Sequence, residues 1–238
     1  ILGSSQIVVE HKGLRMVFTG DYKRRADPTC PGFEPVENTH VFISEATFGL
    51  PVFRHPPTDQ EIDRLMRSVA DNPDRTHCIG AYSLGKAQRV IKHLRLAGHD
   101  RPIYIHGSLE KLCEVYEAAG VTLGELRPAT LEDRSKAARE AFRGEIVIAP
   151  PGAFEGKWAQ RFPDPVIGFA SGWMSVKQRA KQRGVELPLV ISDHADWDEL
   201  TDTIREVDPQ DLWITYGRED ALVRWAELEG RRAKPLRM

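Results

Sequence analysis

The regular alternation of short apolar runs with amphipathic stretches between residues 76 and 170 constrains the fold of this chain more than any other feature. Residues 76–82 form a short apolar run of strand length, and behind Ser83-Leu84-Gly85-Lys86 the apolar residues Ala87, Val90, Ile91 and Leu94 recur at helical spacing. Residues 102–105 repeat the pattern and lead through His106-Gly107-Ser108 into a helix whose buried side is expected to carry Leu109, Leu112, Val115 and Tyr116. Two further runs, 145–149 and 165–170, end in Pro150-Pro151-Gly152 and Ser171-Gly172-Trp173. Strands that alternate with helices need crossover connections, so the fold class is α/β with a parallel, doubly wound sheet. Ligands of such sheets lie beyond the carboxyl ends of the strands.

Three other apolar runs stop at a group able to carry chemistry. Residues 6–10 and 14–18, joined at His11-Lys12-Gly13, read as a β-hairpin whose second strand runs into Thr19-Gly20-Asp21-Tyr22-Lys23-Arg24-Arg25. A Gly and an Asp behind a buried strand suit a tight turn that aims one carboxylate, and the three bases after it suit an anion; a solvated loop is the other reading. Residues 41–44 form a strand that ends at Glu45. Residues 189–191 stop at Ser192-Asp193-His194-Ala195-Asp196, where an imidazole stands between carboxylates; equally, Asp196 can cap a helix from Asp198 and leave His194 on the surface. Three strands ending in acid, base or ligand groups suggest one shared rim.

At 238 residues and 41% hydrophobic content the chain can bury one large or two intertwined cores. No apolar run approaches the roughly 20 residues of a membrane span, which argues against a membrane partner. Cys30, Cys78 and Cys113 are odd in number and widely spaced, so neither a disulfide framework nor a structural zinc knuckle is indicated, and a reducing cytoplasm fits best. A net charge of −2 leaves any nucleic acid to be met by local basic patches. The opening Ile1-Leu2-Gly3-Ser4 has no initiator Met and reads as cut from something longer.

Thr58-Asp59-Gln60-Glu61 opens a helix as an approximate capping box, with Ile62, Leu65, Met66 and Val69 as its core stripe. Ser83 to Lys86 has the form of a strand-to-helix loop able to hold a phosphate, or of an ordinary turn with Lys86 in solvent; neither a Walker loop nor a dinucleotide fingerprint occurs. Lys177, Arg179, Lys181 and Arg183, close behind Trp173, can follow a nucleic-acid backbone or form a solvated helix face. A helix through Leu200 and Ile204, a strand at 212–215, Tyr216-Gly217 and a helix around Leu222, Val223 and Trp225 follow, and the basic tail 231–234 reads as a surface segment.

The stretches Gly20-Asp21-Tyr22-Lys23-Arg24, residues 45–53, Ser83-Leu84-Gly85-Lys86-Ala87-Gln88, Ser171-Gly172-Trp173-Met174 and residues 192–197 resemble those of metallo-β-lactamase fold nucleases that carry a β-CASP cassette. Nearly end to end, the chain is most similar to the bacterial ligase-associated DNA exonucleases, also labelled mRNA 3′-end processing factor-like proteins. The resemblance implies a metallo-β-lactamase-like αββα domain, incomplete at its N-terminus, made of residues 1–53 and 189–238, with the cassette inserted at 54–188. It implies that Asp21 bridges two divalent metal ions, Zn or Mn, that Glu45 orients His194, and that His194 contacts the scissile phosphate and protonates the leaving oxygen. Ser83, Gly85, Lys86, Ser192 and Lys23 are the candidates for holding substrate phosphate. The implied partners are nucleic acid, DNA before RNA, and an ATP-dependent DNA ligase and helicase in repair.

In two places the chain departs from that pattern. The His-x-His-x-Asp-His cluster that supplies most metal ligands lies upstream of the sequence given, as does a His expected just before Ile1, so the two metals are not expected to be fully bound by this chain or hydrolysis to run on it alone. Tyr216 stands where relatives carry a metal-binding His, and a phenol of pKa near 10 is a poor ligand at neutral pH. The alternatives are an RNA-processing ribonuclease and a non-catalytic module that binds nucleic acid or a partner protein.

Overall fold

The structure is a computed structural model of the protein and describes residues 1–130 and 135–236. It begins with strands β1 (Ile7–His11), β2 (Leu14–Phe18) and β3 (Val41–Ala46), followed by helix α1 (Thr58–Asp71). There follow β4 (His77–Gly80), α2 (Lys86–Leu96), β5 (Ile103–Ile105), α3 (Gly107–Ala118), β6 (Leu126–Pro128), α4 (Lys136–Glu140), β7 (Ile146–Ala149) and α5 (Pro151–Phe154). The remainder is β8 (Val166–Ala170), α6 (Lys177–Gln182), β9 (Leu187–Leu189), α7 (Trp197–Val207), β10 (Asp211–Gly217), α8 (Glu219–Leu228) and β11 (Ala233–Pro235). The chain is a mixed α/β protein that divides into two compact units, one built mainly from residues 56–192 and the other from 3–26, 31–55 and 193–236.

The unit of residues 56–192 holds the six-stranded sheet β6-β5-β7-β4-β8-β9, in which every neighbouring pair is parallel. Its central strands β4 and β7 are buried throughout, as strands covered by helices on both faces must be. Ile62, Leu65, Ala87, Val90, Ile91, Leu94, Leu109 and Tyr116 close the core over it, as their spacing predicts. Along α3 the buried face differs from expectation. Cys113 is buried while Val115 is 57% exposed, because Leu109, Cys113 and Tyr116 keep the three-to-four residue step and Val115 falls off that stripe. At α1 the expected capping box does not form: Pro57 is the cap, and the Thr58 hydroxyl instead accepts from the Arg89 guanidinium at 2.7 Å.

The other unit holds the sheet β1-β2-β3-β10-β11. The β1–β2 hairpin turns through Lys12 and Gly13, both at positive φ, the conformation a two-residue hairpin needs to match strand twist. Strands β2, β3, β10 and β11 run parallel, and α7 and α8 contribute Leu200, Ile204, Leu222 and Ala226 to the core beneath them. The tail therefore departs from the expected surface segment: Ala233–Pro235 adds an edge strand to β10. Proline is tolerated there because an edge strand leaves one row of backbone groups without ladder partners.

Candidate active site

In the unit built around β3 and β10, the ends of β2 and β3 meet the loop that carries His194; the strand expected at 189–191 is instead β9, Leu187–Leu189, and belongs to the six-stranded sheet, so the expected rim of three strands is two strand ends and a loop. Glu45, the penultimate residue of β3, is 1% exposed, and each carboxylate oxygen has its own donor. Oε1 accepts the Tyr22 backbone N–H at 2.8 Å and Oε2 accepts from His194 Nδ1 at 2.8 Å. Tyr22 also takes the other side of the junction, its carbonyl accepting the Ala195 N–H at 2.5 Å. One backbone residue behind Gly20-Asp21 thus braces both the buried carboxylate and the loop that carries the imidazole. Gly20 makes the preceding turn at φ +60°, a conformation that favours glycine. Burial pushes the Tyr22 phenol well above its usual range, so it stays protonated, 3.4 Å from the Ser44 hydroxyl.

The His194 loop is anchored by the start of α7. Asp196 caps that helix in a reciprocal box with Glu199, as one of the two sequence readings holds, and also accepts from Arg25 at 2.5 Å and from the His55 N–H at 2.9 Å. The Phe48 ring meets those of His55 and His194 edge-on at 4.6 and 6.1 Å between centroids. Arg24 and Arg25 depart from the anion-binding expectation: Arg24 pairs with Glu206, and Arg25 with Asp196 and Glu199, so both clamp α7. Lys23, between Tyr22 and these clamps, is buried.

Asp21 is exposed, with one carboxylate oxygen 3.9 Å from His194 Nδ1. Asp21, Glu45 and His194 each offer a ligand atom within 4.8 Å of the others. Tyr216 belongs to the same unit. It sits at φ +54° in a bulge of β10, where the register to β3 slips between Thr215, opposite Glu45, and Gly217, opposite Ala46, and its ring is 62% exposed. A Cβ on Gly217 would stand 2.1 Å from the Ala46 carbonyl oxygen, so only glycine completes the bulge.

The other phosphate candidates lie in the unit of residues 56–192, and there the loop behind β4 is occupied by its own bonds. Gly85, at φ +84°, gives its N–H to Gln88 Oε1 at 2.8 Å; Lys86 is buried and its Nζ donates to the Ile191 carbonyl at 3.0 Å. The Ser192 carbonyl accepts from Arg89 at 2.6 Å, and Ser83 is half-buried. Sequence reasoning missed Arg89, fully buried with Thr58, Ser192 and Asp27 as partners, and Phe48.

A two-metal hydrolytic site gathers several donors around each ion. Among the described residues only the Asp21, Glu45 and His194 cluster qualifies, and there both Glu45 oxygens and His194 Nδ1 are already bonded. These residues by themselves do not fit two metals; the pair is built as a carboxylate-oriented imidazole with one exposed carboxylate beside it.

No protein-family model matches the chain. Over 242 residues, 95% of this chain and 22% of the relative, it is 29% identical to a probable DNA ligase of Opitutus terrae. It is 30% identical to the endoribonuclease YSH1 of Saccharomyces cerevisiae over 126 residues, 48% of the chain and 16% of the relative. An uncharacterized protein in the lig 3′ region of Acidianus ambivalens is 31% identical over 120 residues, 48% of this chain and 79% of the relative. At that identity and coverage the chain belongs to one family with the Acidianus protein. Its likeness to the ligase and the endoribonuclease supports the metallo-β-lactamase/β-CASP family, which uses divalent metals. The chain spans about a fifth of the ligase and less of the endoribonuclease. A protein of unknown function from Enterococcus faecalis shares the fold at a TM-score of 0.59, with 12% identity over 99% of this chain and 59% of that structure.

Proposed function

We propose that the protein is a nuclease of the metallo-β-lactamase fold with an inserted β-CASP cassette, and that it hydrolyses phosphodiester bonds of DNA. The observation that carries this reading is the 2.8 Å bond from His194 Nδ1 to buried Glu45, beside exposed Asp21. Glu45 accepts from Nδ1–H, so the proton that His194 hands to the leaving oxygen is held at Nε2. Tyr22 N–H holds the second Glu45 oxygen and keeps the carboxylate from turning. Asp21 is the residue that would hold a divalent ion, Zn or Mn, whose chemistry when bound is to activate water and stabilise charge at phosphorus.

The likeness over 95% of the chain to a probable DNA ligase favours DNA. We further propose that it acts in repair, in the cytoplasm, beside an ATP-dependent DNA ligase and helicase. The endoribonuclease likeness over 48% of the chain favours the second reading, RNA. Labelled DNA and RNA supplied together with Mn or Zn to the full-length protein decide between them. His194→Ala is expected to abolish hydrolysis; digestion that survives it removes the assigned acid.

A further inference from the structure

The unit of residues 56–192 carries a ring-and-cation patch that the hydrolytic residues do not use. Its base is Phe169 in β8. The Tyr82 ring, 52% exposed two residues beyond β4, meets Phe169 edge-on at 6.3 Å, and the Arg183 guanidinium lies 5.2 Å from the Phe169 centroid. Trp173 packs in the same cluster and is covered by the Arg179 guanidinium at 3.9 Å. Arg179 and Arg183 are four residues apart, so α6 and its C-terminal residue set them one turn apart on one side. Beside them opens a small pocket of about 50 Å³ whose lining includes Gly80, Pro151, Phe154, Phe169 and Arg183, with one acid, Glu155, at its wall. Lys177 and Lys181 add charge, and all four bases are exposed with no carboxylate within ion-pair distance among the described residues. Elsewhere Arg15, Arg24, Arg25, Arg54 and Arg75 each have one.

From this we infer that the patch is a binding track for single-stranded nucleic acid, separate in its residues from the Glu45–His194 pair and resting on the nuclease reading for its ligand class. The exposed Arg179 guanidinium over Trp173 can meet a base on its far side, the half-exposed Tyr82 ring offers a second stacking face, and unneutralised bases attract the phosphates between them. Only an unpaired strand presents base faces, so a duplex of equal charge gains the phosphate attraction without the stacking.

Fluorescence anisotropy of the full-length protein with a labelled single strand of about 12 nucleotides, DNA or RNA, tests this. A chelator keeps hydrolysis out of the measurement, and thermal melts check each variant's fold. The single strand should bind more tightly than the equal-length duplex, and Tyr82→Ala should weaken it about tenfold. Arg179→Gln with Arg183→Gln should weaken it at least as much and lower the salt slope by about 1.4. Lys111→Gln with Lys136→Gln, an equal loss of charge at exposed positions of the same unit, should stay within about twofold. The inference falls if that control pair loses as much as the Arg pair, if Tyr82→Ala binds like the native protein, or if the duplex binds equally well. The unsubstituted protein supplied with Mn or Zn separates the two proposals: patch-dependent binding without any hydrolysis sinks the nuclease reading alone, and hydrolysis that His194→Ala abolishes, without patch-dependent binding, sinks this one alone.

Discussion

Replacing Glu45 by Gln changes one group and no volume, and the geometry states what that removes. The native carboxylate accepts twice, from Tyr22 N–H and from His194 Nδ1–H, both at 2.8 Å. An amide has one acceptor oxygen and one NH2. The Tyr22 donor is fixed backbone, so the amide oxygen stays there and the NH2 turns to His194. Nδ1 must then accept, and an imidazolium, which has a proton on both nitrogens, no longer fits. The loss is one charge-assisted hydrogen bond to the protonated imidazole, worth about 1.5–3 kcal/mol, or about 10- to 150-fold in the step that protonates the leaving oxygen. The assay compares labelled DNA with a bis(p-nitrophenyl) phosphate ester, whose leaving phenolate needs no proton. Glu45→Gln should show that loss on DNA and stay within about threefold on the activated ester. Equal losses on both substrates would refute the orienting role and make Glu45 a general structural group.

The remaining predictions concern stability. His77, His93 and His99 are buried and their pKa values lie below the usual 6.5, desolvation being the largest cause in each and Arg89 opposing charge on His93 as well. Unfolded chains take up these protons below about pH 6.5 while the folded protein resists, so stability falls on acidification by up to about 1.4 kcal/mol per pH unit for each His; urea midpoints that do not move between pH 7.5 and 5.5 would contradict this. Arg89→Met removes the cation that faces the buried Asp27 carboxylate, which keeps its bonds from Thr29, and should cost about 3–5 kcal/mol, part of which Asp27→Asn in the same chain restores; a double variant as unstable as the summed singles would count against the pair. Gly217→Ala should cost about 3 kcal/mol or more, whereas Tyr216→Gly next to it, already at φ +54° and exposed, should stay within about 1 kcal/mol, as melting curves will show.

The parallel sheet of residues 76–170 was legible because strand length, helix spacing and loop residues all repeat along the chain. Its spatial order β6-β5-β7-β4-β8-β9 was not, since apolar strands of similar length are interchangeable until crossovers choose among them. The site divides the same way. Asp21, Glu45 and His194 stand out as polar groups closing apolar runs, but β3 reaches β10 only after the 211 − 41 = 170 residues separating their first residues, and nothing local announces that pairing or the bulge it forces at Tyr216. The basic triplet 23–25 shows the limit from the other side. Charge alone suggests an anion, yet Arg24 and Arg25 turn to Glu206, Asp196 and Glu199 on α7, a helix more than 170 residues away in sequence.

Helix α2 shows why periodicity can be right about one face and silent about the other. Ala87, Val90, Ile91 and Leu94 mark the apolar side, and an amphipathic helix ordinarily leaves its polar side to water. Here Lys86, Arg89 and His93, three and four residues apart, form a stripe alongside the apolar one and are buried as well. Lys86 donates to the Ile191 carbonyl, Arg89 to the Ser192 carbonyl and the Thr58 hydroxyl, and His93 bonds Asp59 at 2.9 Å. Hydropathy scores a side chain without its partner, so a buried charge that is paired scores like a solvated one. The cue available in the sequence was geometric: three long donors in one helical stripe, with an acid at the start of the neighbouring helix to receive one of them. Burial of such a stripe calls for a receiver for each side chain, and each of the three has at least one among two backbone carbonyls, a hydroxyl and a carboxylate.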